Sequence, residues 1–182
     1  MKNNQSIYFL LSFFLIVFFG GACNSTSADD KAKTVDIHTA IVNNDIETVK
    51  KHIAAKKNLN EKDPMGGSSP LITAALFGRT EIAKLLIDAG ADLSIQNNDG
   101  STALHVAAFF CHPEIVKMLL KKGVDKAVKN KYGSTAYETM VSPYKEVKNI
   151  YQGIEQMLSP LGLKLDYAHI EKTRPIVAAL LK

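Results

Sequence analysis

Apolar residues are crowded near the start of the 182-residue chain and become periodic after it. Within residues 7–19, only Tyr8 and Ser12 carry a polar side-chain atom. In the middle of the chain, apolar residues such as Ile82 and Leu86 recur at three- and four-residue spacing. This spacing predicts short helices with one apolar face.

The helical pattern lies within a repeat of 33 residues. Three copies start at that spacing: GSSPLITAALFGRTEIAKLL at Gly67, GSTALHVAAFFCHPEIVKMLL at Gly100 and GSTAYETM at Gly133. A helix pair of this size cannot bury its own apolar face, so several copies must stack to create a continuous core. We therefore expect an all-α solenoid of stacked helix–turn–helix pairs over residues 34–182.

The repeat resembles the ankyrin repeat, whose pattern is G-x-T-P-L-H-x-A-A-x-x-G-H-x-x-I-V-x-x-L-L-x-x-G-A-D. Residues 67–130 agree with it in order at about fifteen positions, and the flanking copies are degenerate. The resemblance implies β-hairpin-like finger turns between the helix pairs. The expected repeats are approximately 34–66, 67–99, 100–132 and 133–166, with a C-terminal capping helix at 167–182. The fourth repeat requires about six inserted residues, near 142–148.

The resemblance also assigns a structural role to His105, which lies in the ALHVAA motif. In ankyrin repeats, the histidine at this position bonds to neighbouring backbone and ties one repeat to the next. Two further hypotheses concern nearby residues. His105, Cys111 and His112 could form a metal site, although their spacing matches no zinc pattern. Cys111 takes the place of Gly78 in the preceding copy, so we expect a small, partly buried residue, with a redox role left open.

No catalytic motif is found in the sequence. It has no phosphate loop of the G-x-x-x-x-G-K type, no G-x-S-x-G elbow and no paired-cysteine metal site. We therefore expect a protein that is not an enzyme and that has no catalytic residue, metal, cofactor or small-molecule substrate.

The resemblance implies that a protein partner binds to the fingers and to the exposed side of the first helix of each pair. The corresponding helix residues are Leu76, Phe77, Phe109 and Phe110, of which the three phenylalanines would act as anchors. The finger residues are Met65, Gly66, Ser68, Asn98, Asp99, Ser101, Lys131, Tyr132 and Ser134. The large apolar residues would form one exposed patch, which is typical of an interaction site. Two alternatives stay open: one residue of each pair turns inward, or the C-terminal insert covers the strip.

The beginning of the chain has the layout of a secretory signal. Lys2 precedes the apolar run, which is shorter than the 20 or so residues of a spanning helix, and Gly20–Ala22 lead directly to Cys23. This ending resembles a bacterial lipoprotein signal, although that family usually has Leu at the position of Gly20. The resemblance implies cleavage before Cys23, lipid attachment to its thiol, and a lipid-anchored location in the bacterial cell envelope, on the periplasmic side or at the cell surface.

Residues 1–22 are accordingly expected to be a signal peptide, and residues 23–33 a flexible tether, because the sequence NSTSADDKAK lacks large apolar residues. An ordinary cleaved signal and an uncleaved anchor remain alternatives, in which Cys23 has no role.

Charge changes this prediction little. The net charge of +4 is too small to indicate a nucleic-acid binder, and two cysteines cannot form a disulfide framework. One lysine cluster would either attract an acidic partner or anionic lipid, or form a solvated face: Lys117, Lys121, Lys122, Lys126, Lys129 and Lys131. We expect a membrane-anchored protein that binds another protein. The alternative is a protective or inhibitory factor, such as a toxin immunity protein or a helper of an envelope oxidative-stress enzyme.

Overall fold

A computed structural model describes residues 35–182 of the chain. The expected signal peptide, the tether and Cys23 lie outside the described residues. Within residues 35–182 the secondary structure is helical, with no strand, which confirms the predicted all-α class. No helix in this range is long and apolar enough to cross a membrane. The helices are α1 (Ile37–Val42), α2 (Ile46–Ala54), α3 (Pro70–Leu76), α4 (Thr80–Asp88), α5 (Ala103–Phe109), α6 (Pro113–Lys121), α7 (Glu138–Val141), α8 (Tyr144–Leu158) and α9 (Tyr167–Leu181).

The helices stack in two layers. An inner layer is formed by α1, α3, α5 and α7, each packed on the next, and an outer layer by α2, α4, α6 and α9. Each inner helix also packs against one outer helix, so the described residues contain four helix pairs. Because each pair contacts only its neighbours, the domain has the quasi-one-dimensional order of a solenoid.

Small side chains set the spacing of the inner layer. Ala74 and Ala75 of α3, and Ala107 and Ala108 of α5, are all fully buried. A methyl group at these positions lets neighbouring inner helices approach closely. Larger apolar residues fill the space between the layers, and these are Leu71, Ile82, Leu86, Leu104, Ile115, Val116 and Leu119.

Hydroxyl side chains accept hydrogen bonds from backbone N–H groups at or just before the start of two inner helices. The Ser69 hydroxyl accepts a hydrogen bond from the Ile72 N–H at 3.4 Å, and Pro70 occupies the first turn, where an N–H has no helical partner. The Thr135 hydroxyl accepts from the Glu138 N–H at 3.2 Å, and the Glu138 carboxylate accepts from the Thr135 N–H at 2.7 Å. This reciprocal pair has the bonding pattern of a capping box and closes the turn that leads into α7.

The fourth repeat differs from its expected boundaries. The repeat pattern predicted that both helices of the fourth repeat lie within residues 133–166 and that residues 167–182 form a separate capping helix. In the structure, α9 is the helix that packs on both α6 and α7, so α9 is the outer helix of the fourth pair. The reason is burial: α9 places Val177 and Leu181 in the core, whereas Met157 of α8 is exposed. Helix α8 is therefore an insertion between the two helices of this repeat.

We predict that Ala107→Leu destabilises the domain by about 1–3 kcal/mol, because the larger side chain forces the inner helices apart. The measurement is the free energy of unfolding from urea titration followed by circular dichroism. Ala54→Leu, at an exposed position of α2, is the control and should change that free energy by less than about 0.5 kcal/mol. Equal effects of the two substitutions would contradict the stacking described above.

Candidate functional site

Each finger turn is organised by one Asp or Asn at its base. In the second finger, the Asn97 side-chain oxygen accepts hydrogen bonds from the N–H groups of Asp99 at 3.0 Å and Ser101 at 2.9 Å. Asp63 and Asn130 do the same in the first and third fingers. A side chain that accepts from the backbone a few residues further on stabilises a tight turn. The finger conformation is therefore determined locally.

The Asp63 carboxylate has the strongest set of these bonds. It accepts from the N–H groups of Met65 at 2.9 Å, Gly66 at 2.7 Å and Ser68 at 2.6 Å. Burial would raise the pKa of Asp63, but the three backbone donors favour the charged form and hold its pKa below the usual value. The first finger is thus stabilised by a carboxylate that stays ionised.

The three fingers are joined to one another by the backbone. The Asn98 N–H donates to the Gly66 carbonyl at 2.9 Å, and the Lys131 N–H donates to the Asp99 carbonyl at 2.9 Å. The second link requires a close approach: a Cβ on Gly100, whose φ is +72°, would lie 2.9 Å from the Lys131 nitrogen. Only glycine fits such a position without strain. We call these three linked turns, residues 63–68, 97–101 and 130–134, the finger row.

The finger row presents most of its predicted binding residues to solvent. Met65 is 61% exposed and Tyr132 is 37% exposed. The Tyr132 hydroxyl also donates to the Asp99 carboxylate at 3.4 Å. Three further residues are exposed, namely Asn98, Asp99 and Lys131, and three are half-buried, namely Ser68, Ser101 and Ser134.

On the second repeat, Leu76 and Phe77 are half-buried at the end of α3. The Arg79 guanidinium lies 5.9 Å from the centre of the Phe77 ring, within the range of a cation–π contact. The same guanidinium donates to the carbonyls of Val42 at 2.6 Å and Ile41 at 3.3 Å, at the C-terminal end of α1. Phe77 is therefore presented beside an arginine that joins two repeats.

On the third repeat, the expectation of two exposed phenylalanines is wrong for Phe110, which is only 6% exposed. Phe109 is half-buried, because the ring of Tyr151 from α8 stacks on it with ring centres 4.5 Å apart. The Phe110 ring meets Phe109 edge-on at 5.3 Å. The physical reason is the insertion: α8 covers this part of the strip, as one of the sequence-based alternatives allowed. The apolar patch of the inner helices is thus centred on Leu76 and Phe77.

Tyr151 is held by hydrogen bonds as well as by stacking. Its hydroxyl donates to the Phe109 carbonyl at 2.6 Å and accepts from an Arg174 nitrogen at 2.8 Å. Burial is the main factor that raises the pKa of Tyr151 far above its usual value. The hydroxyl therefore stays protonated and keeps both bonds across the ordinary pH range.

Arg174 is a buried cation that binds backbone carbonyls. It is 3% exposed and lies in no ion pair among the described residues. One guanidinium nitrogen shares its two hydrogens among three carbonyls, those of Thr139 and Met140, each at 3.1 Å, and Ser142, at 2.9 Å. These carbonyls belong to the last turn of α7 and the residue after it, which lack helical partners. A planar guanidinium with five donors can satisfy several acceptors at once.

The sequence-based reasoning missed this network, although one signal pointed to it. Of the 22 basic residues, only Arg79 and Arg174 are arginine, and the rest are lysine. Both arginines bind the carbonyls at the end of an inner helix. In a lysine-rich chain, the few arginines mark the positions where a fork of donors is needed.

The two histidines of the third repeat tie it to its neighbours on both sides. One ring nitrogen of His105 accepts from the Thr102 N–H at 3.3 Å, and the other lies 3.2 Å from the Ser134 carbonyl in the next repeat. Burial lowers the pKa of His105, so its neutral form is favoured. His112 packs over the preceding repeat: a Cβ on Gly78 would lie 2.5 Å from its ring. The role expected for His105 is thus observed.

Burial also determines the chemistry of Cys111. Its side chain is fully buried, and its Sγ lies 3.6 Å from the Ile170 carbonyl. Burial raises the pKa of the Cys111 thiol to about 11, so the reactive thiolate is strongly disfavoured. Among residues 35–182 no group of three or more potential metal ligands comes together. The proposed metal site therefore gains no support from the arrangement of His105, Cys111 and His112.

The lysine cluster, which extends from the outer helix α6 to the third finger, is exposed and weakly paired. Lys117 lies 2.8 Å from Glu114, and Lys122 lies 3.7 Å from Asp88. The remaining members are also at the surface. Exposed pairs of this kind contribute little to stability, so the cluster has the geometry of a solvated face.

Stacked helix pairs with a linked finger row define a solenoid repeat protein. Comparison with known families gives the particular class. The family model described as "Ankyrin repeats (3 copies)" matches residues 37–130, just over half of the chain. The chain belongs to the ankyrin-repeat family. Domains of this family are typically non-enzymatic modules for protein–protein interaction.

Two known proteins illustrate the similarity. The chain is 37% identical to inversin from Gallus gallus over 59 residues, which is 32% of this chain but only 5% of inversin. The crystal structure of the ankyrin repeat domain of Bcl-3, described as a unique member of the IkappaB protein family, superimposes with a TM-score of 0.55 at 29% identity. That match covers 64% of this chain and 50% of the Bcl-3 chain. This chain therefore corresponds to only a part of either relative.

We predict that acid destabilises the domain partly through His112. Burial lowers its pKa to about 4, against a hydrogen bond at the Leu76 carbonyl that raises it. The unfolded chain, with a histidine pKa near 6.5, binds more protons than the folded one between these values. Neutral His112 makes its full contribution to the free energy of unfolding above about pH 6.5. This contribution, about 3 kcal/mol, is lost as the pH falls towards 4.

The measurement is the free energy of unfolding in urea at pH values from 4 to 7. His112→Gln should give a shallower dependence than the unsubstituted protein, because glutamine does not titrate. Carboxylates contribute equally to the pH dependence of both proteins. If the free energy of unfolding had the same slope with pH in both, the role assigned to His112 would be contradicted.

Proposed function

We propose that this protein binds another protein through the finger row together with Leu76 and Phe77, while a lipid on Cys23 holds it at a membrane of the bacterial envelope. The observation that carries the binding proposal is the linked finger row, in which Met65 and Tyr132 are exposed on turns tied to each other by backbone hydrogen bonds. A surface already held in one conformation loses little conformational entropy when it binds.

The composition of this surface supports a partner with both apolar and polar groups. Met65, Phe77 and Tyr132 provide apolar anchors, and such side chains are enriched in the cores of protein–protein interfaces. Between the anchors, exposed Asn98 and Asp99 offer hydrogen-bond donors and acceptors that set specificity. We expect the partner to place an apolar segment against Phe77 and polar groups against the second finger.

The membrane proposal is supported by the sequence alone. A basic start, a short apolar run and small residues directly before Cys23 are the layout of a cleaved signal. Each buried methylene of an attached acyl chain contributes about 0.8 kcal/mol, so more than one chain on Cys23 would give durable anchoring. Anchoring would raise the local concentration of the binding surface at the membrane.

We predict that Met65→Ala combined with Phe77→Ala weakens partner binding by at least about tenfold, because both anchors are lost. The measurement uses the tagged full chain to capture proteins from solubilised membranes, with each captured protein quantified by mass spectrometry. Ile176→Ala is the matched control, since Ile176 is 53% exposed on the outer helix α9. Equal capture by all three proteins would contradict the assigned surface, provided that their circular dichroism spectra agree.

We predict that Cys23→Ser moves the protein from the membrane fraction to the soluble fraction, because the hydroxyl cannot take the thioether-linked lipid. Cys111→Gly is the control: it removes the other thiol at a position with φ of +58°, where glycine is unstrained. Fractionation and the mass of the mature protein distinguish the cases. Retention of Cys23→Ser in the membrane, with an unmodified mass for the parent protein, would contradict lipid attachment.

A further inference from the structure

Helix α8 occupies part of the surface that the inner helices would otherwise present. It is inserted between α7 and α9, and its Tyr151 ring stacks on Phe109 and meets Phe110 edge-on at 6.3 Å. Phe110 corresponds in the repeat to Phe77, which is half-buried and therefore more accessible than Phe110, whereas Phe109 and its counterpart Leu76 are both half-buried. The chain thus buries in its third repeat, at Phe110, a position that is only half-buried in its second.

This cover is attached by few side chains. Of the fifteen residues of α8, only Val147 and Tyr151 are buried, whereas five of the seven residues of α5 are buried. Near its end, Glu155 accepts hydrogen bonds from the Leu165 N–H at 2.8 Å and from the Tyr167 hydroxyl. Segments with few buried contacts open at lower free energy than the rest of a domain. The burial pattern places α8 in that class.

Three further features weaken α8. Gly153 lies in its middle with no atom near enough to require glycine, and glycine disfavours a helix interior. The helix begins after Pro143 without a side-chain hydrogen bond to its first turn. The Tyr144 hydroxyl is buried and has no hydrogen-bond partner among the described residues. A buried unpaired hydroxyl is costly and would regain its hydrogen bonds in water.

We propose that α8 is a strap that covers Phe109 and Phe110 in the unbound protein, with Tyr151 as its latch, and that it unwinds locally to expose these rings to the protein partner. This inference rests on the proposed binding function and adds a regulation of the same surface. The latch is the Tyr151 hydroxyl, which joins the Phe109 carbonyl to Arg174, together with the stacked ring. The bonds of Glu155 keep the far end of the strap attached to the start of α9.

Hydrogen exchange of the full chain, resolved by peptide with mass spectrometry, tests the opening without any partner. The amides of α8 should exchange at least tenfold faster than those of α5. Tyr151→Phe retains the stacked ring but removes both hydroxyl bonds, and should accelerate exchange in α8 about tenfold while leaving α5 unchanged. Val49→Ala is the control, because Val49 is fully buried in α2. It should lower the midpoint of global unfolding without affecting the amides of α8.

Hydroxyl-radical footprinting tests whether opening exposes the covered rings. Oxidation of the peptide containing Phe109 and Phe110 should rise severalfold in Tyr151→Ala and to a smaller extent in Tyr151→Phe. The peptide containing Phe77 should be oxidised equally in all variants. If Tyr151→Ala fails to fold, as shown by loss of circular dichroism, the Tyr151→Phe measurement decides the question.

Two results would overturn the strap. One is exchange of α8 and α5 at the same rate with the same response to Val49→Ala, since α8 would then open only with the whole domain. The other is unchanged oxidation of the Phe109 peptide in folded Tyr151→Phe. Neither result bears on the proposed binding function, because the Met65 and Phe77 variants test that separately. Loss of binding in those variants with no opening of α8 would keep the function and reject the strap.

Discussion

The close approach of the inner helices is the constraint on which the rest of this structure depends. A single helix pair has too little apolar surface to fold alone, so each pair must bury its face against the next. Fully buried alanines in α3 and α5 allow that approach. The stacking in turn places the fingers side by side, close enough for the backbone of one to bond to the next. The packing of the helical core therefore positions the candidate binding surface.

The end of the stack shows how a solenoid deals with an incomplete repeat. Helix α7 has only four residues, and its last carbonyls would be buried without partners. Arg174 supplies the donors from α9, and Tyr151 links the same guanidinium to the third repeat. A buried charge without a carboxylate is normally unfavourable, but carbonyl oxygens carry partial negative charge at the end of a helix. One side chain thus joins the short inner helix, the inserted helix and the outer helix.

Sequence reasoning predicted the repeat and the role of His105, because these follow from local patterns that recur every 33 residues. The finger residues could be located for the same reason. It failed for Phe110 and for the helix that completes the fourth repeat. The segment that covers Phe110 and Phe109 is helix α8, an insertion that does not follow the repeat length. The sequence pattern allowed either α8 or α9 to be the outer helix that packs beside α6. The spacing of apolar residues cannot show which of the two helices takes that place, because this depends on packing against α6 and α7.

The amino-acid sequence encodes the solenoid class, since a helical hydrophobic spacing that recurs at a fixed period predicts stacked helix pairs. It also determined where the fingers lie, because Asp63, Asn97 and Asn130 shape their turns through bonds to residues close by in the chain. Which apolar side chains remain accessible depends instead on how distant parts of the chain pack together. Phe77 and Phe110 are equivalent in the repeat, yet Tyr151, more than forty residues beyond Phe109, reaches the third repeat and not the second. Exposure depends on what packs from elsewhere in the chain, and no local pattern encodes that.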